Sequence, residues 1–192
     1  LTILETICLM LVGMGIFDAI THSFATVATG GFSPRNASVA YFNSPTVDSI
    51  IIVFMILSGI HFGLIFVAIT DSFKKIWYSP IVRYYIGAII LGVLLVAFNI
   101  WNDITNGFWY SLRLAAFQVV SLGTSTGFAT ADTEIWPGFS KLILIFFSLQ
   151  CACAGSTSGG IKVDRVLVLW KGFISQIYKI KHPKAVVTSK LG

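Results

Sequence analysis

Two short stretches hold the residues best suited to bind a small ion. Ala28-Thr29-Gly30-Gly31-Phe32 and Thr124-Ser125-Thr126-Gly127-Phe128 consist of small and hydroxyl-bearing residues, and each ends in Gly-Phe. Glycine permits positive φ, so successive carbonyls can turn toward one axis. Rings of such carbonyls can replace the hydration shell of a potassium ion. Chemistry of this kind belongs to the main chain and needs no carboxylate cluster. One such stretch alone could equally be a tight turn between helices. Here residues 21–33 align without gaps on residues 117–129, with Gly31 and Gly127 96 positions apart, so the pattern is a repeat. A third stretch, Ala154-Gly155-Ser156-Thr157-Ser158-Gly159-Gly160, carries three glycines and three hydroxyl residues inside an otherwise apolar segment.

The elements that position these stretches are apolar. Of 192 residues, 56% are hydrophobic and 11% charged, and the mean hydropathy is +0.85; a soluble domain carries about a quarter charged residues. Residues 47–69 form a 23-residue block with Asp48 at its edge and His61 inside, enough to cross about 30 Å of hydrocarbon as one helix. Residues 84–100 are uncharged. Residues 139–178 run about twice the length of a single crossing, with the glycine- and hydroxyl-rich stretch in the middle. Such a composition forms helix poorly, so the pattern predicts two half-helices joined by an intramembrane loop; a kink is the simpler alternative. Helix-compatible segments over about residues 17–28 and 108–124 precede the two Gly-Phe stretches. The chain opens at Leu1 in an apolar stretch that ends near Phe17. With no basic n-region or small-residue cleavage site, this stretch is expected to be the end of a truncated span rather than a signal peptide.

Charge decides whether the short helices cross. Lys74, Lys75 and Arg83 lie between spans, and Lys162, Arg165, Lys171, Lys179, Lys181, Lys184 and Lys190 near the end. If residues 108–124 crossed, three crossings would put the two basic groups on opposite faces. If the segment enters and returns, both groups are cytoplasmic, as the positive-inside rule requires. The expected fold class is therefore an all-α integral membrane protein of tandem span–pore-helix–span repeats, with re-entrant loops and one broken span. The expected units are residues 1–72, a linker over 73–83, a second repeat over 84–178 and a basic tail over 179–192. Asp18 at the start of the first short helix suits the dipole there, and the C-terminal ends of both short helices favour a cation. The net charge of +5 is concentrated in the cytoplasmic segments and does not indicate nucleic acid.

At these three stretches the sequence resembles the Trk/Ktr/HKT superfamily of potassium transporters, and most of all its bacterial Trk-type membrane subunits. The resemblance covers essentially the whole chain. It implies four span–pore–span repeats around one pore, of which repeats two and three are present here. It further implies that Gly31 and Gly127 are filter glycines. Ala28, Thr29, Gly30, Thr124, Ser125 and Thr126 would then supply neighbouring carbonyls to potassium, and residues 154–160 would form a gating loop beneath them. A multi-pass protein of the bacterial inner membrane follows, a homodimer when full-length, with a cytosolic ring of nucleotide-binding regulatory subunits. Potassium is the substrate, no cofactor is expected, and two of the four filter strands lie outside this sequence.

Other classes fit less well. A secondary transporter binding an ion or small solute at broken helices is the main alternative, although both copies here run in the same direction. An enzyme would need a convergent acid, base or nucleophile, and His22 and His61 stand apart as packing residues. Ala154–Lys162 departs from a phosphate loop, because Ile161 separates Gly160 from Lys162 and Val163 replaces the hydroxyl residue. Cys8, Cys151 and Cys153 lack partners at metal spacing and are expected to be buried free thiols. Glu5 is an acid within an apolar stretch, a functional residue by default. Trp101, Trp109, Tyr110 and Trp136 are expected to form an interfacial belt.

Overall fold

The computed structural model describes residues 1–70, 79–103 and 107–181. Most of the expected linker, with Lys74 and Lys75, and the tail beyond 181, with His182, Lys184 and Lys190, lie outside them. Eight α-helices follow in order among the described residues: α1 Thr2–Leu11, α2 Ile16–Val27, α3 Pro45–Ser58, α4 Phe62–Thr70, α5 Pro80–Asp103, α6 Phe108–Gly123, α7 Gly138–Leu149 and α8 Val163–Lys181. A short 3-10 turn, Ser38–Phe42, precedes α3. Local sequence sets several starts. Ser44 caps α3 by accepting the Val47 N–H, Pro45 takes its first position, and Pro80 opens α5; proline suits that position because its missing N–H has no helical partner there.

α2 has 12 residues and α6 has 16. At 1.5 Å per residue they reach about 18 and 24 Å, short of the hydrocarbon core of about 30 Å. α5 is the one helix among the described residues long and apolar enough to cross alone, over Pro80–Trp101. α2 packs on α1 and α3; α6 packs on α5, α7 and α3. The core between them holds Ile51, Met55, Val96, Ile100, Phe117 and Val119. Polarity is inverted relative to a soluble domain. Ile90, Leu91, Phe98, Leu142 and Phe146 are exposed, while His22, Ser23, Thr26, Ser121 and Thr124 are fully buried. Polar side chains turned inward between helices and apolar ones turned outward are the arrangement a bilayer selects.

One expected span is not a single helix. Residues 47–69 divide into α3 and α4, interrupted at residues 59–61. The physical reason is that backbone groups from residues 153–155 insert at the interruption. The last span is broken as the sequence predicts. α7 and α8 are joined through residues 152–160, flanked by two-residue strands β1 Gln150–Cys151 and β2 Ile161–Lys162. These pair in parallel, Gln150 with Ile161 and Cys151 with Lys162. Parallel pairing means the chain leaves the loop heading the way it entered, so α7 and α8 are one crossing with a loop inserted, not a hairpin. Trp136 departs from the expected belt: it is buried at 3% exposure, whereas Trp109 is 80% exposed. Cys153 is a buried free thiol, and Cys8 is free but half-buried.

Candidate functional site

Both short helices end in the same way. In α2 the Thr29 N–H donates to the Thr26 carbonyl at 3.1 Å and the Gly30 N–H to the Ala25 carbonyl at 2.8 Å. In α6 the Ser125 N–H donates to Leu122 at 2.9 Å and the Thr126 N–H to Ser121 at 2.8 Å. Each is a Schellman motif, which places its turning residue in the left-handed region and usually recruits glycine there. Here the turning residues are Thr29 (φ 51°) and Ser125 (φ 54°), and left-handed backbone costs a residue with a Cβ about 1–2 kcal/mol. Two residues on, Gly31 (φ 64°) and Gly127 (φ 87°) are positive again, with Gly30 and Thr126 between them outside that region. The backbone pattern therefore repeats at the 96-residue offset of the sequence repeat. Ala28 and Thr124 are the last helical-side residues, with φ of −77° and −98°.

The two loops touch. A Cβ placed on Gly31 would run into the Thr126 carbonyl oxygen, so the two loops meet here closer than a side chain at residue 31 permits. Beyond the loops, the Ala40 N–H donates to the Ala129 carbonyl at 3.2 Å and the Ala129 N–H to Ser38 Oγ at 3.3 Å.

Equivalent residues brace the two exits. His22 Nδ1 lies 2.7 Å from the Asp18 carbonyl, which can only accept, so Nδ1 carries the proton and Nε2 accepts from Ser33 Oγ at 2.9 Å. At the matching position of the repeat, Gln118 Nε2 donates to the Ala131 carbonyl at 3.2 Å. Ser121 Oγ adds a bond to the Phe128 carbonyl at 2.7 Å. Sequence reasoning read His22 as a hydrogen-bonded packing residue, which it is, but missed Gln118. The signal was present, since the two positions align in the repeat. Arg35 ties the first exit to the start of α2 through Asp18 Oδ2 at 2.7 Å; that hydrogen bond holds the guanidinium above its already high ordinary pKa. Between the repeats, Arg113 of α6 lies 3.4 Å from Asp48 of α3. Glu5 is fully buried in α1 beside Thr26.

Residues 154–160 lie against both loops. Thr157 Oγ1 donates to the Val27 carbonyl at 2.9 Å, and the Gly159 N–H donates to Ser125 Oγ at 2.7 Å. Inside the stretch, Ser156 Oγ donates to the Cys153 carbonyl at 2.6 Å and lies 2.9 Å from Ser158 Oγ. Gly155 (φ 75°) and Gly160 (φ 72°) supply its left-handed turns. The residues that follow hold both ends. Lys162 Nζ donates to the Ser158 carbonyl and to Ser158 Oγ, and Asp164 Oδ2 accepts the Ala154 N–H at 3.0 Å. All three sequence stretches thus converge on one place. Lys162, which the sequence marked as one of the basic residues near the end, and Asp164, which it did not single out, are further members of the cluster.

Comparison with known proteins places the chain. The TrkH family, described as "Cation transport protein", matches residues 9–192. The chain is 41% identical over 194 residues to the Trk system potassium uptake protein TrkH of Salmonella typhimurium, and 40% identical to the protein of that name from Escherichia coli K12, in each case across its own full length. It superposes on the crystal structure of the potassium transporter TrkH from Vibrio parahaemolyticus with a TM-score of 0.95 at 37% identity, covering 100% of this chain and 42% of that one. It spans about 40% of the length of the curated relatives it matches. A helical membrane fold, the match over residues 9–192 and the level of identity together show that the chain belongs to the TrkH family of cation transport proteins.

Proposed function

We propose that this chain supplies two adjacent strands of a potassium selectivity filter, and the loop that gates it, to a membrane protein that takes up potassium. One observation carries the proposal: the loops after α2 and α6 alternate in handedness in the same way, Thr29 and Gly31 in one, Ser125 and Gly127 in the other, and lie in contact. Alternation of left- and right-handed residues turns successive carbonyls to one side of a strand, which is what a ring of carbonyl ligands requires. Ala28, Thr29, Gly30 and Gly31, with Thr124, Ser125, Thr126 and Gly127, are the proposed donors of carbonyl oxygens. The C-terminal ends of α2 and α6 lead straight into these loops and add the favourable end of each helix dipole. Relatives named for potassium uptake support the choice of ion.

Residues 154–160 are the proposed gate, since they hydrogen-bond to the residues that end one short helix and begin the turn after the other. The division into two repeats, over residues 1–72 and 84–178, is the corresponding organisation. The inner-membrane location, the dimer of complete subunits and the cytosolic regulatory ring rest on the family resemblance and belong to the same proposal.

The test is ion flux by the complete protein reconstituted in vesicles, comparing Gly127→Ser and a deletion of residues 155–159 with the parent. Gly127→Ser should reduce potassium-over-sodium selectivity by roughly tenfold, from a filter-site change of about 1.4 kcal/mol. Unchanged selectivity would remove the filter assignment. The deletion should raise basal flux; no change in protein that still folds would reduce the loop to a kink.

A further inference from the structure

The interruption between α3 and α4 is a place where backbone groups have changed partners. In a continuous helix the N–H groups of His61, Phe62 and Gly63 would donate to the carbonyls of Leu57, Ser58 and Gly59. Here the Phe62 N–H donates to the Gly155 carbonyl at 3.2 Å, and the Gly63 N–H donates to His61 Nδ1 at 2.9 Å. The freed Gly59 carbonyl accepts the Cys153 N–H at 3.1 Å. Two of these three partners come from residues 153–155, the entrance to the proposed gate. A backbone group without a partner at membrane depth is costly, so the interruption persists because the loop occupies it. The fit is close on both sides. A Cβ on Gly59 would meet the Tyr85 hydroxyl and Ala152 Cβ, and one on Gly155 would meet His61 Cδ2 and Nε2 at 2.5 and 2.6 Å.

We propose that this interruption is the seat of the loop, with Gly59 and His61 as its positioning residues. The proposal rests on the gate assignment above and goes beyond it. When the loop leaves, the Gly59 carbonyl and the Phe62 N–H lose their partners and regain helical ones, so loop release and closure of α3 and α4 into one helix are a single transition. The gate of the second repeat is then governed by α3 and α4 of the first. His61 acts at the hinge: its ring covers Gly155, and its Nδ1 holds the Gly63 N–H away from the Gly59 carbonyl.

A double-mutant cycle on basal potassium flux by the complete protein in vesicles tests this. Gly155→Ala sets a methyl group against the His61 ring and should raise basal flux roughly tenfold; His61→Ala frees the Gly63 N–H for helix and should raise it roughly threefold. The double variant should not exceed Gly155→Ala alone, because removal of the ring removes the collision. A double effect equal to the product of the single effects, or no effect of either substitution, overturns the seat. If Gly155→Ala fails to fold, His61→Ala decides alone, unchanged flux overturning the proposal. The deletion of residues 155–159 separates the two levels. Raised flux on deletion with a multiplicative cycle removes the seat and keeps the gate, and no response to deletion removes the gate.

Discussion

Phe32 and Phe128 occupy the same position of the repeat, yet Phe32 is 82% exposed and Phe128 is 1% exposed. Phe128 lies against the His22 ring of the first repeat, with centroids 5.6 Å apart; Phe32 has no such cover among the described residues. Even so, the two loops share their pattern of positive φ and their pairs of helix-ending hydrogen bonds. Packing of the phenylalanine therefore does not shape the loop. The Schellman ends and the two glycines do, and only Phe128 anchors its exit. The loops also differ in what lies against their glycines: Gly31 abuts the Thr126 carbonyl, whereas a Cβ on Gly127 would meet nothing within 4 Å.

That asymmetry sets the largest expected effect. Gly31→Ala combines left-handed strain with a collision against backbone, about 4 kcal/mol in all, and should part the two loops. Gly127→Ala carries the strain alone, about 1 kcal/mol. Thermal unfolding of the complete protein in detergent measures both. Equal losses would show that the loops do not meet at Gly31.

The braces should separate next. His22 is fully buried and joins the Asp18 carbonyl to Ser33. Its replacement by alanine removes two hydrogen bonds and leaves a cavity, about 3 kcal/mol. Gln118→Ala removes one bond, to Ala131, worth about 1 kcal/mol. The same unfolding measurement ranks them, and a larger loss at Gln118 would show that the His22 brace is not the stronger of the two.

Much of this was legible from composition and repeat. The short helices are found at Ile16–Val27 and Phe108–Gly123, close to the segments that the two Gly-Phe stretches demanded. The broken last span follows from three glycines and three hydroxyl residues in seven positions. What stayed hidden depends on contacts across the chain. Residues 47–69 are apolar apart from Asp48, Ser49, Ser58 and His61, and Gly59 alone is an ordinary helix residue at modest cost; the interruption exists because Cys153 and Gly155, about a hundred positions later, take its hydrogen bonds. Left-handed Thr29 and Ser125 were likewise unreadable, since periodicity and composition assign such turns to glycine. Trp136 looks like an interfacial residue by type and is buried by its neighbours.

The smallest expected effect bears on those two turning residues. Replacement by glycine relieves left-handed strain at each, offset in part by the greater freedom of glycine in the unfolded chain. The side chains then decide the sign. Thr29 Oγ1 donates to the adjacent Ala28 carbonyl at 2.7 Å, a bond between neighbouring residues that ties no other segment in place. Ser125 Oγ accepts the Gly159 N–H at 2.7 Å, so its removal strips a bond from the proposed gate. Thr29→Gly should leave stability within about 0.5 kcal/mol of the parent, whereas Ser125→Gly should lose about 1 kcal/mol. Ser125→Gly should also raise basal flux, because the hydrogen bond that fastens the proposed gate to the turn after α6 is gone. Thermal unfolding and flux, measured on one preparation, check both halves. If Ser125→Gly matches Thr29→Gly in stability and leaves flux unchanged, the two turns are interchangeable and the loop is held elsewhere.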